Sequence, residues 1–166
     1  MPASRTLDFD PIERAGELWE ERIGDDSAMR LATSIMRVQQ LVLASLDAAV
    51  KPFGITFARY EVLVLLSFSR SGSLPLSKVG ERLMVHPTSV TNLVDRLESQ
   101  GLVARTTDTA DRRRILASLT AEGGRVLERA TAALTDIDFA VGTLDADDQE
   151  KAYDLLRSLR SADFEG

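Results

Sequence analysis

The apolar positions of this chain fall into a succession of helical stripes, interrupted once by a short alternating stretch. From Pro11 to Ile23, the residues Ile12, Ala15, Leu18 and Trp19 recur with a helical period, and Gly24-Asp25-Asp26-Ser27 breaks it. From about Ala28 to Lys51, Leu31, Ile35, Val38, Val42, Leu46 and Ala49 make a second stripe, stopped by Pro52-Phe53-Gly54. That helix is about 36 Å long at the helical rise. A helix of this length in so small a chain projects beyond one lobe and packs on another element or another chain. Thr56 to Ser69 contains Val62-Leu63-Val64-Leu65-Leu66, which suits a buried strand, yet the distance from Gly54 to Gly72 favours a helix. Apolar residues nearly all round it predict a central position.

Ser71-Gly72-Ser73 reads as a loop, and Leu76 to Leu83 as a short helix with Leu76, Val79 and Leu83 inward. Proline starts a helix cheaply at its first position, so Pro87 opens the next one, to about Gln100. Its stripe is Val90, Leu93, Val94 and Leu97, and Gly101 supplies the left-handed residue that ends it. Leu102 to Arg105 and Arg113 to Leu119 read as strands, the second with Ile115, Ala117 and Leu119 on one face. Thr106 to Arg112 is then a polar hairpin loop. Thr120 caps a last long helix with a stripe through Val126, Leu127, Ala130, Leu134, Ile137 and Val141. A final helix, about Ala146 to Leu159, presents Ala152, Leu155, Leu156 and Leu159. The expected fold is mainly α with a small β-hairpin wing, a winged helix-turn-helix carrying extra helices at both ends. The chain is expected to divide into terminal helices, residues 1–50 and 121–166, and a winged head, residues 55–120.

Composition narrows the function. The 166 residues are 44% hydrophobic and 28% charged, ordinary for a folded domain. There is no cysteine and one histidine, His86, which excludes disulfides, thiolate metal sites and zinc sites rich in histidine. No cofactor is expected. Neither a basic leader followed by an apolar run nor a membrane-length apolar segment occurs, so the expected location is the cytoplasm and no membrane partner is expected. Enzyme signatures such as G-x-S-x-G, a phosphate loop or H-E-x-x-H are missing, and the reading is not an enzyme.

The net charge of −6 argues against nucleic acid until its distribution is read. Residues 1–30 hold four basic and eight acidic side chains, and residues 121–166 five and eleven. Residues 31–77 hold four and two, and residues 78–120 seven and five, so the middle is mildly basic. Counterion release is local, and a local positive face is what DNA requires.

The middle also carries the chemistry. Burying Val90, Leu93, Val94 and Leu97 leaves Thr88, Ser89, Thr91, Asn92 and Arg96 on the other sides of their helix. Small polar residues near a helix start let the backbone approach and offer hydroxyl and amide groups to base edges or phosphates. His86 precedes Pro87 and stands either as a cap or as a further contact. The hairpin tip Asp111-Arg112-Arg113-Arg114 projects arginines suited to a narrow minor groove. Asp111 is expected to orient one guanidinium by a bidentate pair.

These segments resemble the MarR family of bacterial transcriptional regulators, over about residues 28 to 160. The resemblance rests on Leu76-Ser77-Lys78-Val79-Gly80-Glu81-Arg82-Leu83, on Thr88 to Glu98, on Gly101-Leu102-Val103, and above all on Asp111 to Thr120. The last fits the family's D-x-R-x-x-x-V-x-L-T wing at all but one fixed position, where Ala117 replaces valine. The resemblance implies a homodimer built from the terminal helices, a palindromic double-stranded operator, and often a small aromatic or phenolic effector. A subgroup responsive to urate has a tryptophan on an extra N-terminal helix and a carboxylate early in the second core helix, as Trp19 and Glu61 are here. It has an arginine after the recognition-helix asparagine, where this chain has Leu93. Arg37, Gln40, Arg59 and Tyr60 complete the candidates for an anionic aromatic ligand. The competing reading is a winged-helix module that binds protein and not DNA.

Overall fold

The computed structural model describes residues 7–161. They form two compact units that divide between Ala44 and Ser45, inside a single long helix.

In the first unit, α1 (Pro11–Arg22) begins where the Asp10 carboxylate accepts the Ile12 N–H at 2.8 Å and Pro11 takes a first-turn position. α2 (Ser27–Val50) follows after Gly24, with Asp25 accepting from both the backbone and the hydroxyl of Ser27. Gly16 is the close approach of α1 to α2: a Cβ there would lie 2.5 Å from Asp26 Oδ2. Leu31, Met36, Val38 and Leu41 of α2 remain exposed.

The second unit starts with the last residues of α2, where Leu46 and Val50 are buried. A 3-10 turn, Lys51–Phe53, ends at Gly54 in the left-handed region, φ +74°. α3 (Phe57–Ser67) is the central helix its composition predicts. Val62, Leu63 and Leu66 are buried, and the Phe57 N–H donates to Asp47 Oδ1 at 2.7 Å. β1 (Ser73–Pro75), α4 (Leu76–Leu83), α5 (Pro87–Ser99), β2 (Val103–Thr107) and β3 (Ile115–Leu119) complete the winged helix-turn-helix. The sheet is antiparallel in the order β1-β3-β2, with Leu74 opposite Ala117 and Arg105 opposite Ala117 on the other side. β1 corrects the reading of Ser73 as loop, and β2 extends the strand beyond Arg105 to Thr107.

α6 (Ala121–Asp136) is capped by the Thr120 hydroxyl, which accepts the Gly123 N–H at 2.9 Å. It ends earlier than its stripe predicts. Asp138, Phe139 and Ala140 all have positive φ, so Val141 belongs to a turn and not to α6. α7 (Ala146–Arg160) follows, capped by Asp145, and buries none of its residues.

Candidate nucleic-acid interface

α5 is held from beneath by Val90, Val94 and Leu97, each at most 1% exposed. Burying one such side chain contributes about 1.5–3 kcal/mol, so the helix cannot roll without a large cost. That fixes Thr88, Ser89, Thr91, Asn92 and Arg96 in solvent on its outer sides. His86 is itself the N-cap, its Nδ1 accepting the Thr88 N–H at 3.3 Å. The hydroxyls of Thr88 and Ser89 are therefore not used as caps. Thr91 Oγ1 donates to the Pro87 carbonyl at 3.2 Å. Asn92 and Arg96 line a shallow polar groove with Asp95 and Ser99.

The wing tip is built by backbone bonds. Asp108 N–H donates to the Arg114 carbonyl and Arg114 N–H to the Asp111 carbonyl, both at 2.9 Å. Asp111 does not make the expected bidentate pair. Its Oδ1 accepts the Arg113 backbone N–H at 3.0 Å and lies 3.9 Å from Arg113 Nε. A carboxylate so engaged shapes the turn and holds the guanidinium only by a long ion pair. The Arg113 side chain is 96% exposed, and Arg112 is exposed beside it. Arg114 instead faces Asp108 at 3.6 Å.

One constellation was absent from the sequence reading. Arg105 on β2 reaches α5, with Nη1 2.6 Å from Asp95 Oδ1 and both Nε and Nη2 on Glu98 Oε2. The Arg105 hydrogen bonds hold the Glu98 carboxyl below the usual glutamate range, and Glu98 in turn raises the Arg105 guanidinium. This network ties the wing to α5. Its only sequence signal was an arginine in a strand facing carboxylates at helical spacing.

The ligand candidates separate. In the first unit, Trp19 on α1 is 37% exposed, and Arg37 Nη1 donates to Gln40 Oε1 at 3.3 Å. Arg37 and Gln40 line an open groove with Leu7, Phe9, Met36 and Leu41; Trp19 does not. In the second unit, Arg59 bonds the Gly54 carbonyl at 3.3 Å and lies 3.4 Å from Gln100 Oε1. Tyr60 is 6% exposed, stacks on Phe57 and shares a hydrogen bond with Thr131 at 3.1 Å. Its phenol is already satisfied within the fold. Glu61 keeps contact with solvent, yet burial pushes its carboxyl above the ordinary value.

No single helix among the described residues is long and apolar enough to cross a membrane. The sequence pattern of the MarR family matches residues 55–115. The HTH-type transcriptional repressor MdtR of Bacillus subtilis (strain 168) is 37% identical over 112 residues, 68% of each chain. Sco5413, a MarR family transcriptional regulator from Streptomyces coelicolor, superposes with a TM-score of 0.77 at 54% identity, covering 81% of this chain and 94% of its own. A cysteine-to-serine mutant of MarR from E. coli, complexed with operator DNA, superposes with a TM-score of 0.71 at 26% identity, covering 86% and 97%. With the wing, the helix α5 beside it and these likenesses together, the chain belongs to the MarR family of transcriptional regulators.

Proposed function

We propose that the protein is a homodimeric repressor that reads a palindromic operator, with α5 in the major groove and the wing in the flanking minor groove. The observation that carries this reading is the exposed Arg112-Arg113 tip on a wing bonded through Arg105 to the same helix that presents Thr88, Ser89, Thr91, Asn92 and Arg96. The family wing motif and the operator complex of the E. coli relative support it. Residues 1–50 and 121–166 supply the dimer. Their exposed Leu31, Met36, Val38, Leu41, Leu155, Leu156 and Leu159 are the apolar positions that a second copy would cover. The two α5 helices then meet successive major grooves about one helical turn apart. The site of action is the cytoplasm, with no metal or cofactor required.

Release from DNA by a small anionic aromatic ligand completes the reading. Support for it lies in the first unit, where Arg37 and Gln40 stand beside Phe9, Leu7 and Met36. A ligand shifts the equilibrium only by its differential affinity for the two states. Trp19, the sole tryptophan, stands on α1 of the same unit outside this groove, and its fluorescence follows the response of that unit to a ligand. A mobility-shift assay on the intergenic DNA upstream of the coding sequence tests the repressor reading: one discrete, salt-sensitive complex is expected, and no preference over random DNA refutes it. Titration of phenolic and purine acids against Trp19 fluorescence and operator binding tests the ligand reading. Both signals should change over one concentration range. A panel that moves neither defeats it.

A further inference from the structure

Gln100 is the C-cap residue of α5, and its side chain leaves the helix altogether. Its Nε2 donates to the Gly54 carbonyl at 2.8 Å, 46 residues away. Arg59 from α3 reaches the same carbonyl at 3.3 Å and lies 3.4 Å from Gln100 Oε1. Gly54 holds the left-handed φ of +74° that this turn requires, and a Cβ there would lie at an ordinary contact distance, 3.5 Å, from Gln100 Nε2. On its other side the end of α5 is gripped by Thr120. That hydroxyl donates to the Gly101 carbonyl at 2.8 Å, and the Thr120 N–H donates to the Leu102 carbonyl at 3.1 Å.

Besides the Arg105 bridge, the C-terminal end of α5 is therefore tied at two points. One leads to the turn that closes α2, the other to the start of α6. Among the described residues, the N-terminal end, which carries Thr88, Ser89 and Thr91, has no such polar tie to another element and is held by the packing of Val90. A rigid helix whose polar ties gather at one end converts a small rotation of that end into a larger displacement at the other.

We propose that Gln100 is a positioning residue that sets the operator half-site spacing by fixing the angle of α5 to the end of α2. The proposal rests on the operator-reading function above. Losing the tether does not remove a DNA contact. It widens the range of α5 angles, so the dimer tolerates separations that the native protein rejects. A hydrogen bond of this kind is worth about a three- to tenfold factor in discrimination.

The test uses the full-length protein and an operator that it selects from random-sequence duplex DNA. Affinities are measured on that operator and on versions with one or two base pairs inserted or removed between half-sites. Gln100→Ala should flatten the spacing profile about three- to tenfold while affinity for the optimal spacing changes less. Gln100→Glu, which has no amide donor for the Gly54 carbonyl, should flatten it likewise. Equal loss at every spacing, or an unchanged profile, overturns the proposal. A lowered melting midpoint with the profile preserved also overturns it, because Gln100 is then only a stabilising residue. Failure of the native protein to select any sequence overturns the operator-reading function itself, and the spacing role with it.

Discussion

The winged head and the terminal helices both carry apolar stripes and treat most of those residues differently. Between Leu46 and Leu134 the head closes on itself: Val62, Leu63, Leu66, Val79, Val90, Val94, Leu97 and Ala117 are all essentially dry. α7 has the same kind of apolar positions, yet Leu155 is 73% exposed and no residue of the helix is buried. The head buries a continuous apolar core within one chain and leaves single residues such as Phe68 and Met84 outside it. The stripes of α2 and α7 leave rows of apolar residues exposed, and under the proposed dimer that difference marks where the second copy packs.

The largest effect that breaks or sharpens this contrast is in α7. Leu155→Asp with Leu159→Asp should leave the head folded and abolish the dimer, read by light scattering at micromolar concentration. Operator affinity should then fall by about 10²–10⁴, because joining two reading heads raises avidity by that order. A double variant that stays dimeric shows that the exposed leucines are not the interface. In the head, Leu97→Ala should cost about 2–5 kcal/mol of folding stability at every protein concentration. The terminal variant should change instead how the melting midpoint depends on concentration.

Within the head, the wing and the helix are predicted to fail differently. Arg113→Ala should weaken binding about tenfold, most on operators with A/T-rich flanks, since a minor-groove arginine reads groove width. Asn92→Ala should cost about 1–3 kcal/mol at one base position and relax preference there. Equal losses on all sequences from both variants would overturn the division of labour.

A smaller effect follows from the bridge between them. Arg105 keeps the Glu98 carboxyl below its ordinary range. The folded state then holds the charged form more tightly than the unfolded chain, so the stabilisation is present above the ordinary glutamate value and is lost as pH falls through the depressed one. Arg105→Ala should lower the melting midpoint at neutral pH, and the gap to the native protein should narrow in acid. A gap that stays constant with pH would show that Arg105 acts by packing alone.

What was legible in the chain was local. The bounds of α4, the start of α5 at Pro87, the Gly101 stop and the Thr120 cap each depend on neighbours within four residues. The wing motif is equally local, although Asp111 serves the backbone of Arg113 and not its guanidinium. β1 was missed because three residues have no period of their own; the strand exists through its pairing with Ser118, Ala117 and Leu116. The end of α6 was missed because Ile137 and Val141 continue the helical stripe, and no glycine stands at Asp138, Phe139 or Ala140 to announce the left-handed turn. Arg105 with Glu98, Gln100 with Gly54 and Tyr60 with Thr131 are side-chain pairs between different elements. Residue type alone gives no register for such pairs.

Glu61 supplies the smallest expected effect and the finest test of how dry the head is. It is the one acidic residue in α3, a helix whose other faces hold Val62, Leu63 and Leu66. Burial raises its carboxyl above the ordinary value although the side chain still meets solvent. A raised carboxyl means that the folded state binds the proton more readily than the unfolded chain. Folding gains from this below the ordinary glutamate value and loses the gain as pH rises through the raised one. At neutral pH the head therefore carries a partly desolvated charge at a cost. Glu61→Gln removes the charge and keeps the shape, so its melting midpoint should exceed that of the native protein near neutrality. The advantage should vanish below about pH 4, where the native carboxyl is protonated in both states. A variant that is less stable at neutral pH would mean that the charge has a favourable partner, such as the second copy, and that this edge of the head belongs with the terminal helices.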